Sequence, residues 1–203
     1  MITQLRYSAH PEDVKHYDTE KTRKEFLIEK VFIPDEITLV YSMYDRIMAG
    51  GAMPVKKALK LESVDLVKAS FFLERREMGM INVGGDAIVE AGGIVYKIGH
   101  KEALYIGKGT TDVVFKSANP DKPAKLYLNT CPAHHEYPSK KITLKDAEVV
   151  VMGSPEESNH RTINKLVHTS VLPTCQLQMG MTELKPGSVW NTMPVHTHIR
   201  RME

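Results

Sequence analysis

Between residues 37 and 132 the sequence breaks into short β-rich runs separated by glycine or by charged turns. No other feature constrains the fold as strongly. "ITLVYSMY", "ASFFLER", "MGMINVG" and "AKLYLNTC" hold β-branched or aromatic residues in stretches too short for a stable helix. "AIVE-AGG-IVYKIG" predicts a hairpin turned at Ala91-Gly92-Gly93, where glycine supplies the positive φ of a tight β-turn. "EALYIGKGTTDVVFK" predicts a second hairpin, turned by Gly107-Lys108-Gly109. Little of the sequence is helical in period, and the best helix candidate is "TEKTRKEFLIEKVF", with Thr22 able to cap it. Many short strands at turn-length spacing predict an all-β chain, a sandwich or barrel.

The strands from about 30 to 132 suffice for one complete module. The proline- and charge-rich stretch from "PAHHEYPS" to "RTINK" reads as a crossing segment. "TCQLQMGMTEL", the turn "KPGS" and "VWNTMPVHTHI" then open a second β module. The expected division is an N-terminal, metal-free module over 1–150, followed over 151–203 by a linker and the first strands of a metal-binding one.

Composition removes several functions. Hydrophobic residues make up 42% of the 203 and charged ones 26%, as in an ordinary globular protein, and the formal charge is only +2. Lys and Arg are spread along the chain, which argues against a nucleic-acid or anionic-membrane partner. No apolar run is long enough to span a bilayer, and "MITQLRYSAHPEDVKHYD" is neither signal nor transit peptide, so the expected location is the cytoplasm. Cys131 and Cys175 are then reduced thiols filling core positions. His134 and His135 read as loop residues.

His196 and His198 stand at i and i+2, so on a strand both imidazoles face one side. Glu203 joins them only if the chain bulges between Ile199 and Met202. Two imidazoles and a carboxylate suit zinc, iron(II), manganese or nickel, and an H-x-H is also ordinary polar surface in a chain with nine histidines. Arg75, Arg76, Lys108, Arg200 and Arg201 have cationic heads that can grip a carboxylate or simply pair with glutamates. Gly187 opening a turn ahead of His196-x-His198-x(4)-Glu203 makes the arrangement similar to the first motif of the cupin jelly rolls.

"FLERREMGMINVGG", "YKIGHKEALYIGKG", "RTINK", "TCQLQMGMTEL" and "WNTMPVHTHIRRME", in that order, resemble the 5-keto-4-deoxyuronate isomerase family, from about residue 23 to 203. The resemblance implies a cupin-type jelly-roll sandwich followed by a second cupin whose first strands are present here. It implies one Zn(2+) per subunit on His196, His198 and Glu203, with a fourth ligand, a histidine, further along than Glu203. The chain is therefore expected to be the N-terminal part of a longer member, and inactive by itself. The implied reaction is an aldose–ketose shift between 5-dehydro-4-deoxy-D-glucuronate and 3-deoxy-D-glycero-2,5-hexodiulosonate in pectin breakdown, by a homo-oligomer, the hexamer of the family. The general base stays unassigned. From the residues alone, a non-haem Fe(II) oxygenase and a non-catalytic sugar-acid-binding cupin remain open.

Overall fold

The computed structural model describes residues 1–191. Three sheets are formed among the described residues. The largest has seven strands in the order β1 (Ile2–Arg6), β2 (Ile37–Ser42), β3 (Met48–Ala52), β10 (Leu126–Pro132), β5 (Arg76–Asn82), β8 (Ala103–Ile106) and β11 (Lys140–Ile142). Every pairing within it is antiparallel except that of β1 with β2. A four-stranded sheet runs β4 (Leu59–Lys60), β9 (Val114–Ser117), β6 (Ala87–Ala91), β7 (Ile94–Ile98). The two sheets share one core, in which Met78, Met80, Leu104 and Leu126 meet Val89, Ile98 and Phe115. This is the all-β sandwich that the spacing of the runs predicts.

The hairpin at 91–93 forms as expected, with Ala91 paired to Ile94 and with Gly92 and Gly93 at φ +57 and +80. The second predicted hairpin does not form. β8 and β9 belong to different sheets, and Gly107-Lys108-Gly109 carries the chain from one to the other. Both edges of β8 are already taken, by β5 and β11, so β9 has no edge of β8 to pair with.

"ASFFLER" is also not a strand. Residues 69–75 form turns that lead into β5, and the neighbours Phe72 and Leu73 are both buried in the first core. Adjacent residues of a strand point to opposite faces, so a turn is what lets both reach one core. The helix Thr19–Phe26 starts three residues before Thr22: Asp18 is the cap, its carboxylate accepting from the Lys21 N–H at 2.7 Å. It ends at Leu27, where the backbone turns extended and the following residues cross the outside of β2 and β3. There the Thr38 hydroxyl donates to the Val31 carbonyl at 2.6 Å, and a Cβ at Gly51 would sit 2.8 Å from both Phe32 and Val31.

The stretch expected to cross between modules contains β11, β12 (Glu148–Met152) and the first five residues of β13 (Arg161–Val167). β12, β13 and β14 (Met179–Leu184) form the third sheet, and a division at residue 150 would cut β12. This sheet is docked on the outer face of the large one, because β5 is buried on both sides. Its Met78 and Met80 point into the sandwich, while Ile81 packs outward with Tyr105 against Val167, Leu177 and Met179. Burying each of those three large side chains contributes about 1.5–3 kcal/mol. Gly79 is required at the contact: a Cβ there would overlap Met179 Sδ and lie 3.1 Å from Leu177 Cδ2.

Candidate functional site

The metal ligands expected from the sequence, His196, His198 and Glu203, lie outside the described residues, as do Arg200 and Arg201. The structure describes the scaffold that leads to them. After β14 the chain turns at Lys185–Ser188, with Gly187 at φ +84 and the Ser188 N–H donating to the Lys185 carbonyl at 2.9 Å. Val189 then donates its N–H to the Ser158 carbonyl at 2.9 Å, and the Trp190 indole donates to the Glu157 carbonyl at 3.0 Å. Among the described residues, no group of three or more His, Cys, Asp or Glu side chains is placed to hold a metal ion.

The scaffold is anchored by a residue that sequence reasoning passed over. Glu77 on β5 is fully buried on the docking face. One carboxylate oxygen accepts the backbone N–H groups of Gln176 (2.9 Å) and Leu177 (2.8 Å), with the Cys131 thiol at 3.5 Å. The other accepts from the Cys175 N–H at 2.9 Å and the Tyr105 hydroxyl at 2.7 Å. Burial alone would raise the Glu77 pKa. The donors of Cys175, Tyr105, Gln176 and Leu177 outweigh it and hold the carboxyl below its ordinary range. Burial and the Glu77 charge push the Tyr105 hydroxyl and the Cys131 thiol upward, so both stay protonated donors. Glu77 thus ties the loop feeding β14 to the centre of the first sandwich. No local motif signals this, because its three backbone partners stand about a hundred positions away and its side-chain partners 28 and 54.

The other cations singled out by sequence have settled roles. Arg75 donates to the Lys68 carbonyl, and Lys108 pairs with Glu136 at 3.1 Å. Arg76 is buried inside the sandwich, donating to the Thr130 and Arg46 carbonyls at 2.8 and 2.7 Å, with its guanidinium 5.9 Å from the Tyr41 ring centre. Burial pushes its pKa down to about 10. Cys131 is buried and Cys175 half-buried, the latter bonded through sulfur to the backbone of His135.

A different cluster faces away from the first sandwich. On β13, Arg161, Ile163 and Lys165 share one face, in register with Met152, Val150 and Glu148 of β12 and with Leu184, Thr182 and Gly180 of β14. The opposite face carries Glu183, ion-paired to Lys101, and Met181, packed on the docking core. Lys165 donates to Glu148 at 2.5 Å, and Glu148 also faces His168 Nδ1 at 3.6 Å. The Lys165 ammonium, ahead of the Ser170 hydroxyl, holds the Glu148 carboxyl below its ordinary range. A cavity of about 310 Å³ opens beside this group, lined by Lys165, His168, Gln178 and Gly180 among others.

Comparisons with known proteins place this architecture. The sequence profile of the KduI/IolB family matches residues 27–203. The 4-deoxy-L-threo-5-hexosulose-uronate ketol-isomerase of Bacteroides fragilis is 60% identical over 200 residues, covering 98% of this chain and 71% of the relative. The ketol-isomerase of the same name from Formosa agariphila is 52% identical over 198 residues, with the same coverage, and that of Yersinia enterocolitica 51% over 202, covering 73% of the relative. Among solved structures, an IolB-like protein from Salmonella typhimurium shares the fold at a TM-score of 0.50 and 17% identity, over 63% of this chain and 46% of that one. With a profile match through the docked third sheet and identities above one half across nearly the whole length, the chain belongs to the KduI/IolB family.

Proposed function

We propose that this protein is a ketol isomerase that interconverts 5-dehydro-4-deoxy-D-glucuronate and 3-deoxy-D-glycero-2,5-hexodiulosonate in the breakdown of pectin and related polyuronates. The observation that carries the proposal is 60% identity over 98% of the chain to a relative named for this ketol-isomerase activity. We further propose a cytoplasmic homohexamer with one zinc per subunit, held by His196, His198 and Glu203. Two imidazole nitrogens and a carboxylate oxygen are a donor set that zinc accepts. Bound there, the metal supplies Lewis acidity that polarises a carbonyl and acidifies the neighbouring C–H.

The chain's own residues supply the frame. Glu77 and the Lys101–Glu183 pair hold β14 and the loop before it against the sandwich. A ketol shift needs a base that carries a proton between adjacent carbons, and no oxidant, nucleotide or reductant.

The test is isomerisation by the native full-length protein under anaerobic conditions, with metal content measured alongside. Activity without oxygen, lost on chelation and restored by zinc, is the expected result. His196→Ala/His198→Ala should lose its stoichiometric zinc. A product that forms only with dissolved oxygen would move the protein to the iron oxygenases. A double variant that retains a full equivalent of zinc would refute the ligand assignment.

A further inference from the structure

The face of β13 turned away from the first sandwich is built like a binding surface for an acid. Its cations lie at the two ends. Arg161 is buried, and its hydrogen-bond partners among the described residues are the Asn159 carbonyl at 3.1 Å and the Met152 sulfur at 4.0 Å. Lys165, four residues on, has a side chain one-third exposed and, among the described residues, a single carboxylate partner, Glu148. Between them Ile163 and Val150 provide an apolar floor.

The space for a ligand is at the Lys165 end. Gly180 stands directly across from Lys165 in the register and contributes no side chain, so the space beside the lysine stem stays open. The cavity there, about 310 Å³, is of the size at which small-molecule sites begin. His168 and Gln178 on its wall add hydrogen-bonding groups suited to hydroxyls. A partly exposed ion pair such as Lys165–Glu148 is weak, because water screens both partners. Displacing the Glu148 carboxylate therefore costs little beside the charge-assisted bond that a ligand carboxylate makes to the lysine within the cavity, and the lysine is held ready rather than locked.

We propose that Lys165 recognises the carboxylate of the sugar-acid substrate in the cavity beside Gly180 and His168, and so determines that the enzyme takes an acid rather than a neutral sugar. This rests on the isomerase reading and adds to it the specificity-determining group. An ammonium fixed at the acid end leaves the carbonyl end of a six-carbon chain free for the chemistry.

The experiment compares Lys165→Met, which keeps the aliphatic stem, with Lys165→Arg, which keeps the charge, in the native full-length protein. KM and kcat are measured for the deoxy-keto-uronate and for its methyl ester. Losing a charge-assisted bond should raise KM for the acid about 10- to 100-fold in K165M, with kcat little changed. The ester should show no such loss, K165R should recover most of the affinity, and zinc content should equal that of the wild type. An unchanged KM for the acid, or an equal rise for acid and ester, would overturn the assignment. If K165M does not fold, the ester-to-acid ratio of KM in Lys165→Gln decides the matter in the same way. Calorimetric titration with D-glucuronate separates this proposal from the isomerase reading. Binding by the wild type that is lost in K165M, with no isomerisation by either, would retain the recognition site and discard the reaction.

Discussion

Glu77→Gln tests the most consequential contact in the structure. The substitution keeps the side chain's size and replaces one acceptor oxygen by an NH2 group. Five donors converge on the native carboxylate: the N–H groups of Cys175, Gln176 and Leu177 at 2.8–2.9 Å, the Tyr105 hydroxyl at 2.7 Å and the Cys131 thiol at 3.5 Å. The amide oxygen can serve the donors on one side only, so at least two fully or partly buried donors face another donor. A buried hydrogen-bonding group left unsatisfied costs about 1–3 kcal/mol. Two such losses, partly relieved by Tyr105 rotating its hydroxyl, give about 2–4 kcal/mol, a large share of the 5–15 kcal/mol typical of a folded domain. Urea unfolding followed by tryptophan fluorescence would measure this loss, since Trp190 is the chain's one indole and is tied to the loop at Glu157. Amide exchange at 175–177 should accelerate in parallel.

The loss should also depend on pH. The Glu77 pKa is lowered in the fold, so its stabilisation is present above the unfolded carboxylate value of about 4.3 and is lost as pH falls through the lower, folded value. The stability gap between wild type and E77Q should therefore narrow in acid below about pH 4. An E77Q protein within about 0.5 kcal/mol of wild type at neutral pH, with unchanged protection at 175–177, would refute the anchoring role.

Other positions give independent checks. Gly79→Ala should destabilise by about 1–3 kcal/mol through overpacking against Met179 and Leu177, and Met179→Ala in the same chain should recover part of it, as read from double-mutant unfolding curves. Gly93→Ala, at φ +80 with open space around its Cβ position, should cost only about 1 kcal/mol of backbone strain and leave the fold unchanged by circular dichroism. Gly107→Ala would drive a Cβ into the Tyr137 backbone carbonyl, so it should lower the thermal midpoint far more than G93A does.

How much was legible in the sequence follows from how far each determinant reaches along the chain. The turn at Gly92-Gly93 is decided within four residues, by the positive φ that only glycine takes freely, and its two strands follow from their β-branched content. The helix at 19–26 was visible, although its cap is Asp18 and not Thr22, a competition between two nearby side chains. The family resemblance rested on ordered stretches of sequence, and the profile match and the close relatives bear it out.

What the tertiary structure alone decided is which surfaces meet. Nothing local tells β8 that both its edges will be occupied, so the apparent hairpin with β9 could only be settled by the sheet order. Arg76 and Glu77 are neighbours in sequence, yet they are buried on opposite faces of one strand, one inside the sandwich and one under the loop that leads into β14. Lys165 gained its standing from the register that sets Gly180 across from it and Glu148 beside it. Strand and turn propensities act over a few residues through φ, ψ and side-chain sterics. Burial and charge pairing depend on partners that only the assembled sheets bring within a few ångströms, and their energies vanish until that approach is made.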